Sequence, residues 1–517
     1  MGSTTPPATA RGVDGCTCPP YPSVDMTEPY FRRKSSGHSR EFSHNEESKD
    51  ANRDCRRLHT STASTALLDA CRTHGCFHVR ISPPPSIGVN PPLNSLCGGI
   101  DAVGAKIEKL FQPETLRTAG VPFRDDSCGG VPDEGTHAIS FVPHDGFFQK
   151  SPLEATFRGR KAESGSAYGS SGGEETAVAT EPKQSWEFQR CRGRTSVRPG
   201  AYAGKGDTNP AGDLGSLTEW TDALHSVAVC AIRELGFSPN SVLAEDGCAC
   251  RSAHPCESSQ ASSEEEKEPA QRSEERCSID LLRAFRYDAL PSETERSMSP
   301  GSSPHTDWGS LTVVWQDGAG GLQTYCEPCG RWNDVPAPQS SSSTSPGDEG
   351  RESSSARSDA EHAAVNLFVH VGDYLSLATA AAASRDKRIS VWPSPRHCVL
   401  CPLQLGKGSS GGISSGRVSL VYFAYPPLGV SLADTNNAMD GIGIAAAPAH
   451  VDPCIPRYGR YSLLQDQSKQ THNLSGLVKS SNGKTVLEED SRLMFERIQT
   501  LSFEQVVREK WCQVQRG

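Results

Sequence analysis

Between residues 64 and 74 the apolar positions recur every three or four residues. Leu67, Leu68 and Cys71 share one face and Gly75 follows, which predicts a helix and its stop. Phe77, Val79 and Ile81 then alternate with their neighbours at the period of a strand. Residues 216–235 carry the longest helical stripe: Leu217, Trp220, Leu224, Val227, Ala228, Ala231 and Leu235 fall together, and Gly236 closes it. Ser216 and Glu219 have the spacing of a capping box at its start. From about residue 279 the rhythm changes to short apolar runs: LLRAFRY, LTVVW, GLQTYC, AVNLFVHV, RHCVL and VSLVYFAY. Runs of this length, parted by turns and loops, predict an all-β sandwich or jelly roll over 279–428. A last helix is expected near 501–514.

The segments between these pieces are too polar to build a core. Residues 33–58, 251–276 (with the run Ser262 to Glu268), 339–360 and the shorter Gly/Ser stretch 406–416 read as solvated insertions. Length alone, 517 residues, would allow about three average domains. Hydrophobic residues make up only 35%, however, with 48 Gly and 37 Pro, against roughly 45–50% apolar in a typical globular chain when Gly is counted. One core threaded with insertions fits better. It divides into a disordered start (1–19), an N-terminal region (20–250), an acidic linker (251–276), the β-rich domain (279–428) and a tail (429–517) with its terminal helix.

Net charge is −10 and the pI near 5.9, so no basic nucleic-acid footprint is expected. No run of 18 apolar residues occurs, and MGSTTPPATARG lacks a signal-peptide core. Gly2 is followed by Pro6 where myristoylation wants Ser or Thr. The expectation is a soluble cytoplasmic protein with no membrane partner and reduced thiols, since 19 cysteines are too thinly spread for a disulfide framework. The pairs Cys326/Cys329 and Cys398/Cys401 lie further apart than zinc-ribbon pairs, which leaves chance spacing as the simpler reading.

Within the β-rich region stands Pro304-His305-Thr306-Asp307-Trp308-Gly309. Residues two apart on a strand face one side, so His305 and Asp307 can reach the same metal. His450-Val451-Asp452 repeats the pattern, but only His305/Asp307 is followed by an ordered series: Gly321-Leu322-Gln323, Trp332, Gly372-Asp373, Ser394-Pro395-Arg396-His397 and Arg417-Val418-Ser419.

This series resembles the iron(II)/2-oxoglutarate-dependent dioxygenases of the isopenicillin N synthase-like group. YPSVDM (21–26), LLDACRTHGCFHV (67–79) and KLFQPE (109–114) are similar to that group's first strand, first helix with its following strand, and next helix end. The resemblance covers about residues 20–430, and LSFEQVVREKW is similar to the last helix. It implies a double-stranded β-helix core with a mixed helix/strand N-terminal region, an α+β fold overall. It also implies iron(II) held by His305, Asp307 and His397 as a two-histidine, one-carboxylate facial triad with open positions. By the same resemblance 2-oxoglutarate is the co-substrate, O2 the oxidant, and ascorbate an optional reductant. A small organic molecule would be oxidised, most simply hydroxylated, with release of succinate and CO2. Arg417 and Ser419 would hold the co-substrate's far carboxylate, the guanidinium through its planar fork, with help from the hydroxyl of Tyr287.

His370 competes with His397 as the distal histidine. It sits where the group has Asn, two residues before Gly372-Asp373, and His397 is preferred. The chain departs from the group in having Cys398 after the distal histidine and a long loop before Arg417; on a strand Cys398 would point away from the face of His397 and pack. Two alternatives stay open: a non-catalytic descendant serving as an interaction module, and an oxidase of the same fold that needs no 2-oxoglutarate.

Overall fold

In the computed structural model of the chain the described residues are 21–26, 62–81, 96, 100–112, 115, 124–125, 146–149, 183–190, 211–237, 239–243, 279–293, 300–326, 330–338, 364–385, 390–403, 416–438 and 499–508. The four polar insertions read from composition, and His450 and Asp452, lie outside these residues or at their margins.

Thirteen strands form two sheets among the described residues. The last eight build the core: β6 (Leu281–Tyr287), β7 (Ser302–His305), β8 (Leu311–Gln316), β9 (Leu322–Cys326), β10 (Arg331–Asp334), β11 (Val365–Val371), β12 (His397–Val399) and β13 (Arg417–Ala424). The larger sheet contains the order β11-β8-β13-β6 and the smaller sheet is β10-β9-β12-β7, so the chain winds from one sheet to the other as a double-stranded β-helix, or jelly roll. Pairing within this core is antiparallel.

The N-terminal strands lengthen the larger sheet at both ends. On one side β1 (Ser23–Asp25) pairs parallel with β2 (Cys76–Ile81), and β2 pairs with β11. On the other, β5 (Lys183–Gln189) pairs with β6, followed by β4 (Gly146–Gln149) and β3 (Arg124–Asp125).

Strand alternation gives the larger sheet two different faces. Val418, Leu420, Tyr422 and Ala424 of β13, with Val313 and Trp315 of β8, are buried in a cluster with helices α2 (Ile100–Leu110) and α3 (Ala211–Glu234). The opposite face meets the smaller sheet, where Phe285, Tyr287, Val314 and Phe368 pack with Leu322, Val335, Val399 and Cys401. Arg417 and Ser419 are on this inner face, because they alternate with Val418 and Leu420.

The helical stripe of 216–235 buries as its spacing predicts, from Leu217 and Trp220 through Leu235. The capping box does not mark its start: α3 begins at Ala211, five residues before Ser216. A single Ser hydroxyl is only a weak competitor for backbone groups, so a helix carried from upstream runs through it.

Helix α1 (Thr62–Thr73) ends as its spacing predicts. Gly75 has φ +67°, and its N–H faces the carbonyls of Ala70 (3.1 Å) and Cys71 (3.2 Å), a glycine-terminated helix end. Its own carbonyl accepts the N–H of Val371 at 2.8 Å, tying the helix end to the strand that carries His370. A Cβ at this position would stand 1.9 Å from the backbone carbonyl oxygen of Pro393. Gly75→Ala is therefore expected to cost more than the ~1–2 kcal/mol of a left-handed non-glycine residue. A lowered denaturation midpoint at unchanged slope would show it; an unchanged midpoint would mean that the 393–395 segment moves freely.

A short helix, α4 (Pro239–Val242), follows α3, and α5 (Asp373–Arg385) and α6 (Leu432–Ala438) close the sequence of named helices. Tyr374 and Leu377 of α5 pack with Leu428, Leu432, Phe503, Val506 and Val507. The terminal helix expected near 501–514 is described over 503–508. The described cysteines Cys71, Cys76 and Cys398 are free thiols. No helix among the described residues is long and apolar enough to cross a membrane.

Candidate metal centre

β7 ends at His305 and Asp307 follows two residues later. Across the smaller sheet His397, the first residue of β12, is the direct partner of His305. The fold thus brings the turn that carries Asp307 against the strand start that carries His397, which follows His305 by 92 residues in the chain. One potential ligand atom from each of His305, Asp307 and His397 lies within 4.8 Å of the other two, and among the described residues this is the only such group of three. Asp307 Oδ1 is 3.6 Å from Nε2 of His305 and 3.7 Å from Nε2 of His397.

Both imidazoles are held from behind. Nδ1 of His305 is 2.7 Å from the carbonyl oxygen of Ser303, and Nδ1 of His397 is 3.1 Å from that of Pro395. Carbonyls only accept, so each Nδ1 carries the proton and each Nε2 presents a lone pair toward Asp307. This is the outer support that ligating histidines characteristically have. Two imidazole nitrogens and one carboxylate oxygen suit a divalent iron ion better than a soft or a purely oxygen-seeking one.

Electrostatics favour the ligating forms of His305 and Asp307. Burial pushes His305 down to about 4, with the neighbouring His397 adding to the effect and Asp307 opposing it. Burial drives His370 down to about 3, again against the pull of Asp307. Burial alone would raise Asp307, but His397, His370, His305 and the Thr312 hydroxyl outweigh it and hold the carboxyl at about 2. An unfolded histidine titrates near 6.5, so between about pH 6.5 and 4 the unfolded chain binds protons that the folded one refuses. Stability of the metal-free protein is thus expected to be complete above that window and to fall as the pH drops through it, with Asp307 adding a further loss below its ordinary pKa. Denaturation midpoints at pH 7, 5.5 and 4.5 check this; the decline should be shallower in His370→Gln, and a flat profile would contradict it.

Arg417, Ser419 and Tyr287 also come together. Arg417 is 1% exposed. Its Nη1 donates to Ser419 Oγ and its Nη2 to Gln316 Oε1, each at 3.3 Å, and its guanidinium lies 4.8 Å from the centroid of the Tyr287 ring. Register explains the meeting: Arg417 pairs with Tyr287 and Ser419 with Gln316 on the flanking strands. Nε of Arg417 is buried with no hydrogen-bond partner. Asp317 feels the guanidinium, yet its two oxygens accept the N–H groups of Val418 (2.7 Å) and Ala319 (3.1 Å). No ion pair joins Arg417 to an acid among the described residues.

Two neighbours of this site escape a reading by motif. Thr312 and Gln316 sit in LTVVWQ, a run whose apolar character hides that its alternate positions face the inside. Polar residues at positions 312 and 316 of a buried strand were the available signal. His370 is not part of the group of three; its Nε2 lies 3.4 Å from Asp307 Oδ2. Cys398 turns away from His397, its Sγ 3.7 Å from Gln323 Oε1, and burial pushes the thiol up to about 12, which suits packing rather than reactivity.

Fold and site together define a class: a double-stranded β-helix carrying a His-x-Asp…His group and a buried arginine on its inner face. No family model matches the chain. A curated relative, the 2-oxoglutarate-Fe(II) type oxidoreductase hxnY of Emericella nidulans, is 33% identical over 57 residues, 11% of this chain and 16% of that protein. A full-length Neurospora crassa protein solved in complex with alpha-KG and thymine is similar at 15% identity and a TM-score of 0.41, covering 79% of this chain and 86% of its own. The dioxygenase for auxin oxidation 1 of Arabidopsis thaliana, solved with 2-oxoglutarate, is similar at 12% identity and a TM-score of 0.37, covering 79% and 93%. The chain spans about a sixth of the curated relative's length. Likenesses this distant fix no activity.

Proposed function

We propose that this chain is an iron(II)- and 2-oxoglutarate-dependent oxygenase that oxidises, most simply hydroxylates, a small organic molecule. The observation that carries the reading is the buried Arg417 guanidinium, hydrogen-bonded among the described residues to neutral groups, on the same inner face as the His305/Asp307/His397 group. A buried cation with no direct ionic contact, acted on by Asp317 only at a distance, is costly to keep out of water. An anionic ligand removes that cost. The far carboxylate of 2-oxoglutarate is such a ligand: it can accept from Nη1, Nη2 and the unpartnered Nε, and from the Ser419 hydroxyl.

His305, Asp307 and His397 would hold iron(II) through two nitrogens and one oxygen, leaving the other positions for the co-substrate and O2. When bound, the iron supplies the redox chemistry by which O2 oxidatively decarboxylates 2-oxoglutarate to succinate and CO2 and oxidises the substrate. The protein's part is to fix and enclose. Nδ1–H bonds to backbone carbonyls fix the imidazoles, Arg417 and Ser419 orient the co-substrate, and the Phe285, Val314, Phe368 and Leu322 side chains exclude water from the space between the sheets.

Succinate formation tests this reading, because a slow uncoupled turnover needs no knowledge of the substrate. Succinate should appear only when iron(II), 2-oxoglutarate and O2 are all present. O2 consumption indifferent to 2-oxoglutarate would move the protein to the oxidase reading, and absence of both would favour the non-catalytic one.

A further inference from the structure

The two oxygens of Asp307 have different surroundings. Oδ1 faces Nε2 of His305 and His397. Oδ2 accepts a hydrogen bond from the Thr312 hydroxyl at 2.5 Å and lies 3.4 Å from Nε2 of His370. The convergence of Thr312 and His370 is built into the sheet, because these residues are direct partners on β8 and β11. Both are 1% exposed, so their approach to Asp307 is made away from bulk water. The His370 ring is packed against Phe368 on one side and His397 on the other, with centroids 6.0 and 4.5 Å away.

We infer that His370 is a positioning residue: with Thr312 it occupies Oδ2, so that Asp307 offers the metal Oδ1 alone. This rests on the metal reading given above. A carboxylate free to rotate could present both oxygens and take a coordination position that a chelating co-substrate needs. Nε2 of His370 faces Oδ2 at 3.4 Å, a polar contact longer than a full hydrogen bond, and with the Thr312 hydroxyl it opposes that rotation. His370 does this as a neighbour of the ligand set, since its ring is outside the group whose ligand atoms lie mutually within 4.8 Å. The imidazole thus acts through Asp307 and not on the metal.

The test uses the full-length protein loaded anaerobically with iron(II), or with cobalt(II) as a spectroscopic probe, in three forms: wild type, His370→Phe and His370→Gln. Phe fills the space and removes the polar contact. Gln keeps an N–H donor at similar reach. Outer-shell partners of metal ligands typically control 10- to 100-fold in affinity, so His370→Phe is expected to bind metal 10- to 100-fold more weakly. Its cobalt(II) spectrum should also differ in intensity from wild type, reporting altered coordination. His370→Gln should recover most of the affinity and the wild-type spectrum, and Thr312→Val should reproduce the change seen in His370→Phe. Two results would overturn the inference. If His370→Phe only lowers thermal stability, with metal affinity and spectrum unchanged, the residue is merely packed. If His370→Phe loses metal as completely as His397→Ala and Gln restores nothing, His370 is itself a ligand. Failure of wild type to bind either metal would instead refute the metal reading on which the inference depends.

Discussion

Asp307→Ala is expected to abolish iron(II) binding, with a loss larger than the 10- to 100-fold that outer partners control. The carboxylate is the one anion in the group, lying 3.6 and 3.7 Å from the imidazole nitrogens of the two proposed histidine ligands. Its removal leaves a divalent cation with two neutral donors in a buried setting, where an uncompensated charge is most costly. Asp307→Asn keeps the shape and loses the charge, and should fall almost as far. His305→Ala and His397→Ala should each lose iron sharply as well. His450→Ala should not, since the series of motifs that follows His305 has no counterpart after His450. Competition with a chromophoric chelator measures all of these. Iron lost in His370→Ala but kept in His397→Ala would reverse the choice of distal ligand.

Arg417→Gln is expected to raise the 2-oxoglutarate KM by roughly 10- to 150-fold, the equivalent of the ~1.5–3 kcal/mol that hydrogen bonds to charged groups contribute. Iron affinity should stay nearly intact, because the guanidinium contacts Ser419, Gln316 and Tyr287 and none of the three proposed ligands. A change in KM with little change in kcat is the mark of lost uniform binding. Arg417→Lys should recover only part of the loss, since an ammonium cannot make two parallel hydrogen bonds. Ser419→Ala should act more mildly. A separate consequence concerns stability. In the absence of co-substrate, Arg417→Met should leave the protein about as stable as wild type, because a buried charge with no direct ion pair among the described residues is replaced by an apolar chain of similar length. Marked destabilisation by Arg417→Met would mean that the arginine serves the fold instead of a ligand.

Local periodicity decides which parts of the fold are legible in the sequence. The stripe of α3, the stop at Gly75 and the apolar strands β6, β8, β11 and β13 all follow from spacing that burial then repeats. His305 and Asp307 are legible because strand geometry makes a spacing of two meaningful. The illegible parts depend on pairing across long stretches of chain. β7 and β10 are four residues each and only partly buried, so they carry little apolar signal. Helix α5 (DYLSLATAAAASR) is buried on nearly all sides and so lacks a one-sided stripe. The recruitment of β2 to β11 and of β5 to β6 leaves no mark in either strand's own sequence. The approach of His370 to Asp307 belongs with these, since it follows from the register that sets His370 opposite Thr312.

One co-substrate that reaches both the His305/Asp307/His397 group and the buried Arg417 is what the proposed function requires. Anaerobic titration of the iron(II)-loaded protein with 2-oxoglutarate tests that junction most directly. The expected result is a weak visible charge-transfer band that grows to saturation in wild type. In Arg417→Gln the same band should need a roughly 10- to 150-fold higher 2-oxoglutarate concentration. Iron bound in wild type with no band at any 2-oxoglutarate concentration would contradict it.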